Sequence, residues 1–294
     1  MIHDSRPRFS LGVTLNLIAW FLFTIMTALS KKAQGSNTVA VILCVQNLIG
    51  VLSLAPYLIK HLRTRYSGRT WILLFTRIFA GQINMLFLFL AVKRLSLSNA
   101  MLINNTAPII VPLILFFLFK QRIKLLVWMA ILLGFFGIML ILPPSQGIID
   151  IGALFALIAA LFLSIVLIVL REIAFKIHPV IVLFYFFLIG FIFSLPFAYP
   201  FWASIKTEDW LLLSTIGILQ VLGQYFLVKS FHFGDSSKLA PMCFSVVIYS
   251  VILDSIIAHS LPNFESLFGM LIVCLSGIWI LKCSSPYSLP RTPK

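Results

Sequence analysis

The chain has 294 residues, of which 61% are hydrophobic and only 10% are charged, and its net charge is +14. A soluble domain averages about 25% charged residues, so the composition predicts an integral membrane protein and leaves no room for a soluble domain larger than a tail. The basic residues lie in loops that flank apolar runs. This pattern is typical of topology signals, so we expect the lipid bilayer as a partner and no nucleic acid.

Ten apolar runs, each about long enough to cross the core of a bilayer, follow one another along the chain. The first five predict helices over residues 11–30, 38–60, 70–92, 98–119 and 125–142. Pro143, Pro144 and Gly147 then stop the chain and mark its middle. The last five predict helices over residues 151–170, 179–200, 209–230, 237–258 and 264–282, with polar tails at residues 1–10 and 283–294. The predicted fold is therefore an all-α membrane protein with ten transmembrane helices.

The two halves of the chain share one plan. AVKRLSLSNAMLIN at residues 91–104 aligns with SFHFGDSSKLAPMC at residues 230–243, an offset of 139 residues. Each half, residues 11–142 and residues 151–282, has five predicted helices, which is an odd number. The halves are therefore predicted to insert upside down relative to each other. Such inverted repeats place the substrate path at their interface, near the bilayer midplane.

The distribution of Lys and Arg predicts the orientation. With the N-terminus inside, sixteen basic residues lie on inner segments and five on outer links, while Arg77 lies within a helix. This asymmetry predicts that both termini are cytoplasmic in a bacterial inner or plasma membrane. The sequence carries no signal for an oligomeric state.

Amide side chains lie near the middle of two repeat-related helices. Gln82 and Asn84 are roughly 18–21 Å from the start of the third predicted helix, and Gln220 and Gln224 are roughly 17–22 Å from the start of the eighth. Polar side chains inside a membrane need a partner or a wet cavity. We predict that both pairs face one central cavity, where amides suit a polar neutral or zwitterionic solute. The alternative is hydrogen bonding between helices without a ligand.

The fourth predicted helix has Asn104 and Asn105 just ahead of Pro108. Because a proline removes one backbone hydrogen bond, one prediction is a kinked helix that offers a carbonyl and an Asn amide to the solute. The other is that the Asn side chains satisfy their own helix terminus. Pro241 and Tyr249 on the ninth predicted helix are the corresponding candidates in the second half.

Arg77 and Asp254 are the clear charges inside the predicted spans. Arg77 lies roughly 10 Å from the cytoplasmic end of its helix, close enough to snorkel to the interface. Asp254 lies roughly 25 Å from the same side, so we expect no direct contact between the two. Asp254 is predicted either to bind a cationic group or coupling proton, or to lie in the outer headgroup layer. Two aromatic residues within the runs, Trp20 and Tyr225, are candidate cavity walls, with packing as the alternative.

The chain resembles the ten-helix, EamA-type branch of the drug/metabolite transporter superfamily over about residues 11–282. The resemblance rests on AVKRLSLSNA followed by TAP at residues 106–108, and on SFHFGDSSKLAP at residues 230–241. It implies a transporter fold but little about the substrate, because the superfamily moves amino acids, nucleotide sugars, purines, S-adenosylmethionine and other metabolites. Glycines near the fifth and tenth helices also fit: Gly134, Gly137, Gly269 and Gly277.

The chain departs from the family pattern at two places. The family often carries a Glu at the ends of helices four and nine, where this chain has Gln121 and Ser260. The branch similar to S-adenosylmethionine carriers tends to show Tyr-Arg-Tyr and then a Glu after the proline that opens helix nine, where this chain reads PMCFSVV. Either the chain belongs elsewhere in the superfamily or its substrate contacts lie on other helices.

These features predict a secondary carrier that moves a small polar metabolite by alternating access, with proton or counter-substrate coupling as an open option. An amino acid or amino-acid-like solute is the first substrate hypothesis, and S-adenosylmethionine or a nucleotide-linked metabolite is the second. A channel-like or structural membrane subunit is the alternative outside the carrier class. An enzyme is not expected, because the five histidines are scattered and form no catalytic cluster. We also expect no cofactor and no metal, and the sequence has no Walker motif.

Overall fold

A computed structural model describes residues 6–58, 66–120, 124–141, 150–173, 176–233, 239–257 and 263–283. In this part of the chain all regular secondary structure is helical. Gln121, Ser260 and most of the two polar tails lie outside the described residues. For the described residues, the prediction of an all-α membrane protein is therefore confirmed.

The helices follow the apolar runs closely, because a run in hydrocarbon satisfies its backbone N–H and C=O groups only by internal hydrogen bonds. Seven helical segments are long and apolar enough to cross a membrane, and three shorter apolar helices occupy residues 125–140, 242–257 and 264–280. Two 3₁₀ helices, Tyr199–Ser204 and Ala240–Phe244, are also present. The α-helices are α1 Arg6–Ala33, α2 Val39–Leu58, α3 Gly68–Val92, α4 Leu97–Asn104, α5 Ala107–Phe119, α6 Leu125–Ile141, α7 Ile151–Ile173, α8 Pro179–Ala198, α9 Asp209–Phe233, α10 Ser245–Ile257 and α11 Phe264–Cys283.

The fourth predicted helix, residues 98–119, is two helices in the structure. α4 ends at Asn104 and α5 begins at Ala107, so the chain breaks at Asn105 and Thr106. Pro108 causes this break, because a proline has no N–H to bond to the carbonyl four residues earlier. The ninth predicted helix is irregular at the equivalent place, since the 3₁₀ helix Ala240–Phe244 precedes α10.

Each half of the chain packs mainly against the other half. α1 packs along α9 and α3 packs along α7, while α2 lies against α8 and α6 against α11. The short α4 contacts both α7 and α10. These pairs all join a helix before residue 142 to a helix after residue 150, so the interface between the halves runs through the middle of the bundle.

The outer surface of the bundle is strongly apolar. Leu125, Leu211 and Phe264 are 76%, 79% and 83% exposed, and many other large apolar side chains also point outward. A contiguous apolar surface of this kind is unfavourable in water. It fits the lipid environment that the composition predicts.

Candidate functional site

A narrow cavity of about 40 Å³ lies between the two halves, among α1, α3, α4, α7, α8 and α9. One buried water needs about 10–15 Å³ measured in this way, so the cavity holds roughly three waters. Most of its wall is apolar, including Phe23, Met26, Met85 and Leu163. Six of the residues singled out in the sequence line it: Trp20, Arg77, Asn84, Asn104, Asn105 and Gln224.

Arg77 is the one cation among the residues that line this cavity, and it is only 1% exposed. The prediction that it snorkels to the membrane interface is therefore wrong. Its Nη2 donates a hydrogen bond of 3.0 Å to Oε1 of Gln224 on α9. Its Nε and Nη1 have no hydrogen-bond partner among the described residues. The guanidinium turns inward because α9 packs there and supplies the acceptor.

An aromatic ring supports the guanidinium from one face. Cζ of Arg77 lies 5.3 Å from the ring centre of Phe186 on α8, within the range of a cation–π contact. Gly81, one turn after Arg77 on α3, allows this ring to approach, since a Cβ there would lie 2.7 Å from Cε2 of Phe186. The pair Arg77 and Gly81 therefore places a cation and a ring side by side at the cavity.

Asn84 and Asn104 form the polar side of the cavity that faces α7. Nδ2 of Asn84 donates to Oδ1 of Asn104 at 2.7 Å and to the carbonyl oxygen of Ala159 at 2.8 Å. Nδ2 of Asn105 donates to the Met101 carbonyl at 2.8 Å, so its amide group satisfies the end of α4. Its Oδ1 has no partner among the described residues. Asn105 thus fits the helix-terminus prediction and still leaves one acceptor at the cavity.

Trp20 is a cavity wall that is fixed by a polar chain the sequence analysis did not identify. Nε1 of Trp20 donates to Oδ1 of Asn16 at 2.8 Å, and Nδ2 of Asn16 donates to Oγ of Ser230 at 2.9 Å. Asn16 lies one helical turn before Trp20, and this spacing is a signal that could have revealed the pair.

Gln82 and Gln220 do not line the cavity, although each lies close in sequence to a residue that does. Nε2 of Gln82 donates to the Phe186 carbonyl at 2.9 Å, and its amide exchanges two bonds of 3.3 Å with Asn47 on α2. Gln220 is fully buried, and neither atom of its amide has a described partner. The structure therefore separates the four amides of the sequence prediction into two at the cavity, Asn84 and Gln224, and two elsewhere.

Tyr225 and Tyr249 also lie away from the cavity wall. The hydroxyl of Tyr225 accepts a hydrogen bond of 3.2 Å from Nζ of Lys229, which also lies over its ring. Tyr249 on α10 packs edge to face against Phe21, with ring centres 5.3 Å apart. Their contacts are with neighbouring side chains in the bundle.

Asp254 caps the start of a helix. It is 8% exposed, and its two carboxylate oxygens accept hydrogen bonds from the backbone N–H groups of Leu97 at 3.3 Å and Ser98 at 2.7 Å. These are the first residues of α4, where a carboxylate is favoured by the unpaired N–H groups and the helix dipole. Nζ of Lys31 donates to the nearby Leu95 carbonyl at 2.7 Å. α1, α10 and the link before α4 are therefore tied together at one end of the bundle.

A family model matches the chain twice. The EamA-like transporter family matches residues 10–142 and again residues 150–282. These matches cover most of the chain. A solved crystal structure shares the fold, with a TM-score of 0.65 and 18% sequence identity, and the match covers 92% of this chain and 96% of that one.

Curated relatives with similar sequences are transporters. The pseudopaline exporter CntI of Pseudomonas aeruginosa is 23% identical over 91% of this chain and 94% of its own length. A riboflavin transporter of Vibrio cholerae is 26% identical over 92% of each chain. An S-adenosylmethionine uptake transporter of Rickettsia conorii is 24% identical over 63% of each chain.

Proposed function

This chain belongs to the EamA-like transporter family, and on that premise we propose that it is a secondary carrier of a small polar metabolite. The observation that carries the proposal is the buried cavity between the halves, where a few polar side chains meet on a largely apolar wall. There Arg77 of the first half bonds to Gln224 of the second half at 3.0 Å. Carriers built from two repeats bind their solute at the interface between the repeats, near the bilayer midplane.

We further propose that residues 11–142 and 151–282 are inverted five-helix repeats. The helix pairing supports this, because exchanging the halves turns the pair α1–α9 into the pair α7–α3. The same exchange maps α2–α8 and α6–α11 onto themselves. The separate family matches to each half also support it.

The proposed mechanism is alternating access around the cavity. Binding pockets for small molecules have about 300–1,000 Å³, whereas this cavity has about 40 Å³. The described conformation therefore leaves too little room for a solute, and in this mechanism a solute enters only after the halves move apart. The breaks between α4 and α5 and before α10 provide places where short helices can shift.

An amino acid or amino-acid-like solute remains our first substrate hypothesis, since Asn84 and Asn104 offer amide groups beside the Arg77 cation. The S-adenosylmethionine and riboflavin transporters among the relatives make a nucleotide-linked or larger heterocyclic solute the second. We also propose a bacterial inner-membrane location with both termini in the cytoplasm. A fusion of green fluorescent protein to the C-terminus, which fluoresces only in the cytoplasm, tests that orientation.

Uptake into proteoliposomes tests the carrier proposal. The purified chain is expected to move at least one solute of a broad metabolite panel, with saturation and with stimulation by the same solute on the opposite side. An imposed pH gradient shows whether protons are coupled. A linear, non-saturating conductance would instead support the channel-like alternative. Failure to dissipate any solute gradient, under conditions where a known carrier does so, would rule out the proposed function.

A further inference from the structure

Resting on the proposed transport function, we propose that Arg77 binds a carboxylate of the transported solute. The first argument is its unbalanced charge. Arg77 is 1% exposed, and no described carboxylate lies within ion-pair distance of it. Its hydrogen-bonding partner is a neutral amide, that of Gln224. A buried charge without a counter-charge is strongly unfavourable. An anionic ligand that binds here therefore supplies the counter-charge that Arg77 lacks in the empty protein.

The second argument is the set of free donors. A guanidinium has five N–H groups, and Gln224 accepts from one of the two on Nη2. Nε and Nη1 are buried and have no described partner. A carboxylate can bind with both oxygens along either of two edges of the guanidinium, the edge of Nε and Nη2 or the edge of Nη1 and Nη2. Nη2 contributes one N–H to each edge. Because Gln224 uses only one of these two N–H groups, the other edge keeps both of its donors free for a carboxylate.

The third argument is that the side chains around the Arg77 guanidinium contact it but carry no negative charge. The Phe186 ring at 5.3 Å stabilises the guanidinium by a cation–π contact but brings no formal charge. Asn84 and Asn104 are likewise neutral, and the rest of the wall is largely apolar. The site therefore fits a solute that has one carboxylate and a compact apolar body.

A stability measurement without any ligand tests whether Arg77 carries an uncompensated charge. In the empty protein, Arg77→Gln is expected to raise the melting temperature by about 2 °C or more, because it removes the buried charge. Gln224→Glu is expected to raise it as well, since it supplies a carboxylate where Oε1 now lies 3.0 Å from Nη2. Lys93→Gln, at an exposed position, is the control and is expected to change nothing. A lower melting temperature for both Arg77→Gln and Gln224→Glu would overturn the proposal, because Arg77 would then be a structural residue.

A binding measurement tests the carboxylate itself. The probes are phenylacetate, succinate and the twenty L-amino acids, each compared with its amide, and phenyl phosphate as the phosphate counterpart. At least one carboxylate is expected to raise the melting temperature of the wild-type protein while its amide does not. Both Arg77→Gln and Gln224→Glu are expected to weaken the binding affinity for that carboxylate by about thirtyfold or more.

Three outcomes would overturn the assignment. They are equal shifts from carboxylate and amide, a response to phenyl phosphate with none to any carboxylate, and no response to the whole panel. The uptake panel of the previous section keeps the two proposals apart. A protein that transports only neutral or cationic solutes remains a carrier and loses the carboxylate site, whereas one that transports nothing loses the proposed function.

Discussion

Replacing Asp254 separates a structural role for this carboxylate from a role in proton coupling. Its oxygens accept from the N–H groups of Ser98 at 2.7 Å and Leu97 at 3.3 Å, at the start of α4. Asp254→Ala leaves both donors buried without an acceptor. We therefore expect a large loss of stability from this variant and a smaller one from Asp254→Asn, whose amide oxygen still accepts one bond.

The size of the effect follows from these two bonds. A hydrogen bond to a charged group contributes about 1.5–3 kcal/mol, and the 3.3 Å bond is weaker because it exceeds the usual range for N–H···O. Together they predict a loss of about 3–4 kcal/mol in the free energy of unfolding for Asp254→Ala, and about 1–2 kcal/mol for Asp254→Asn. Asp150→Ala is the matched control. It removes an exposed carboxylate that accepts a local bond of 2.7 Å from the N–H of Gly152, so its expected cost is about 1 kcal/mol.

Unfolding of the purified protein in mixed detergent micelles measures these free energies. Uptake in proteoliposomes, with and without an imposed pH gradient, measures coupling in the same variants. Asp254→Asn is expected to retain whatever dependence on the gradient the wild type shows. The reasoning is refuted if Asp254→Ala costs no more unfolding free energy than Asp150→Ala. It is also refuted if Asp254→Asn loses gradient-driven uptake but keeps solute exchange, since that result assigns the carboxylate to proton coupling.

Two further variants test the packing around the cavity and along the interface. Asn84→Leu removes the hydrogen bonds to Asn104 on α4 and to the Ala159 carbonyl. We therefore expect a loss of about 1 kcal/mol in the free energy of unfolding and slower uptake in proteoliposomes. Unchanged uptake would show that Asn84 is not part of the site. Gly137→Ile places a Cβ 2.9 Å from the Gly269 carbonyl oxygen. It is expected to lower the free energy of unfolding by about 1–3 kcal/mol, because it forces α6 away from α11. Gly68→Ala, with open space around it, is the control and is expected to be neutral in the same unfolding assay.

Position along a helix could be predicted from the sequence, but the direction in which a side chain points could not. Gln82 and Asn84 have almost the same depth, yet two residues correspond to about 200° around an α-helix. Asn84 therefore faces the cavity while Gln82 faces Asn47 on α2. Arg77 shows the same limit of the reasoning. Its depth suggested snorkelling, and its actual direction depends on Gln224, a residue 147 positions later in the chain.

Local breaks were predictable where a residue imposes them by its own covalent structure. Pro108 predicted the interruption that appears at Asn105 and Thr106. The cap of α4 was not predictable, because its acceptor is Asp254, which is 156 residues from Ser98. Nothing in the local sequence of α4 specifies that partner, since the pairing exists only after α10 has packed beside it.

The small volume of the central cavity also bears on the energy balance of the cell. A space with room for roughly three waters is too small for a sodium ion with its full shell of hydration. In the transport function proposed above, this conformation would not pass hydrated ions between transport cycles. The ion gradients that drive other processes would therefore be preserved while no solute is bound.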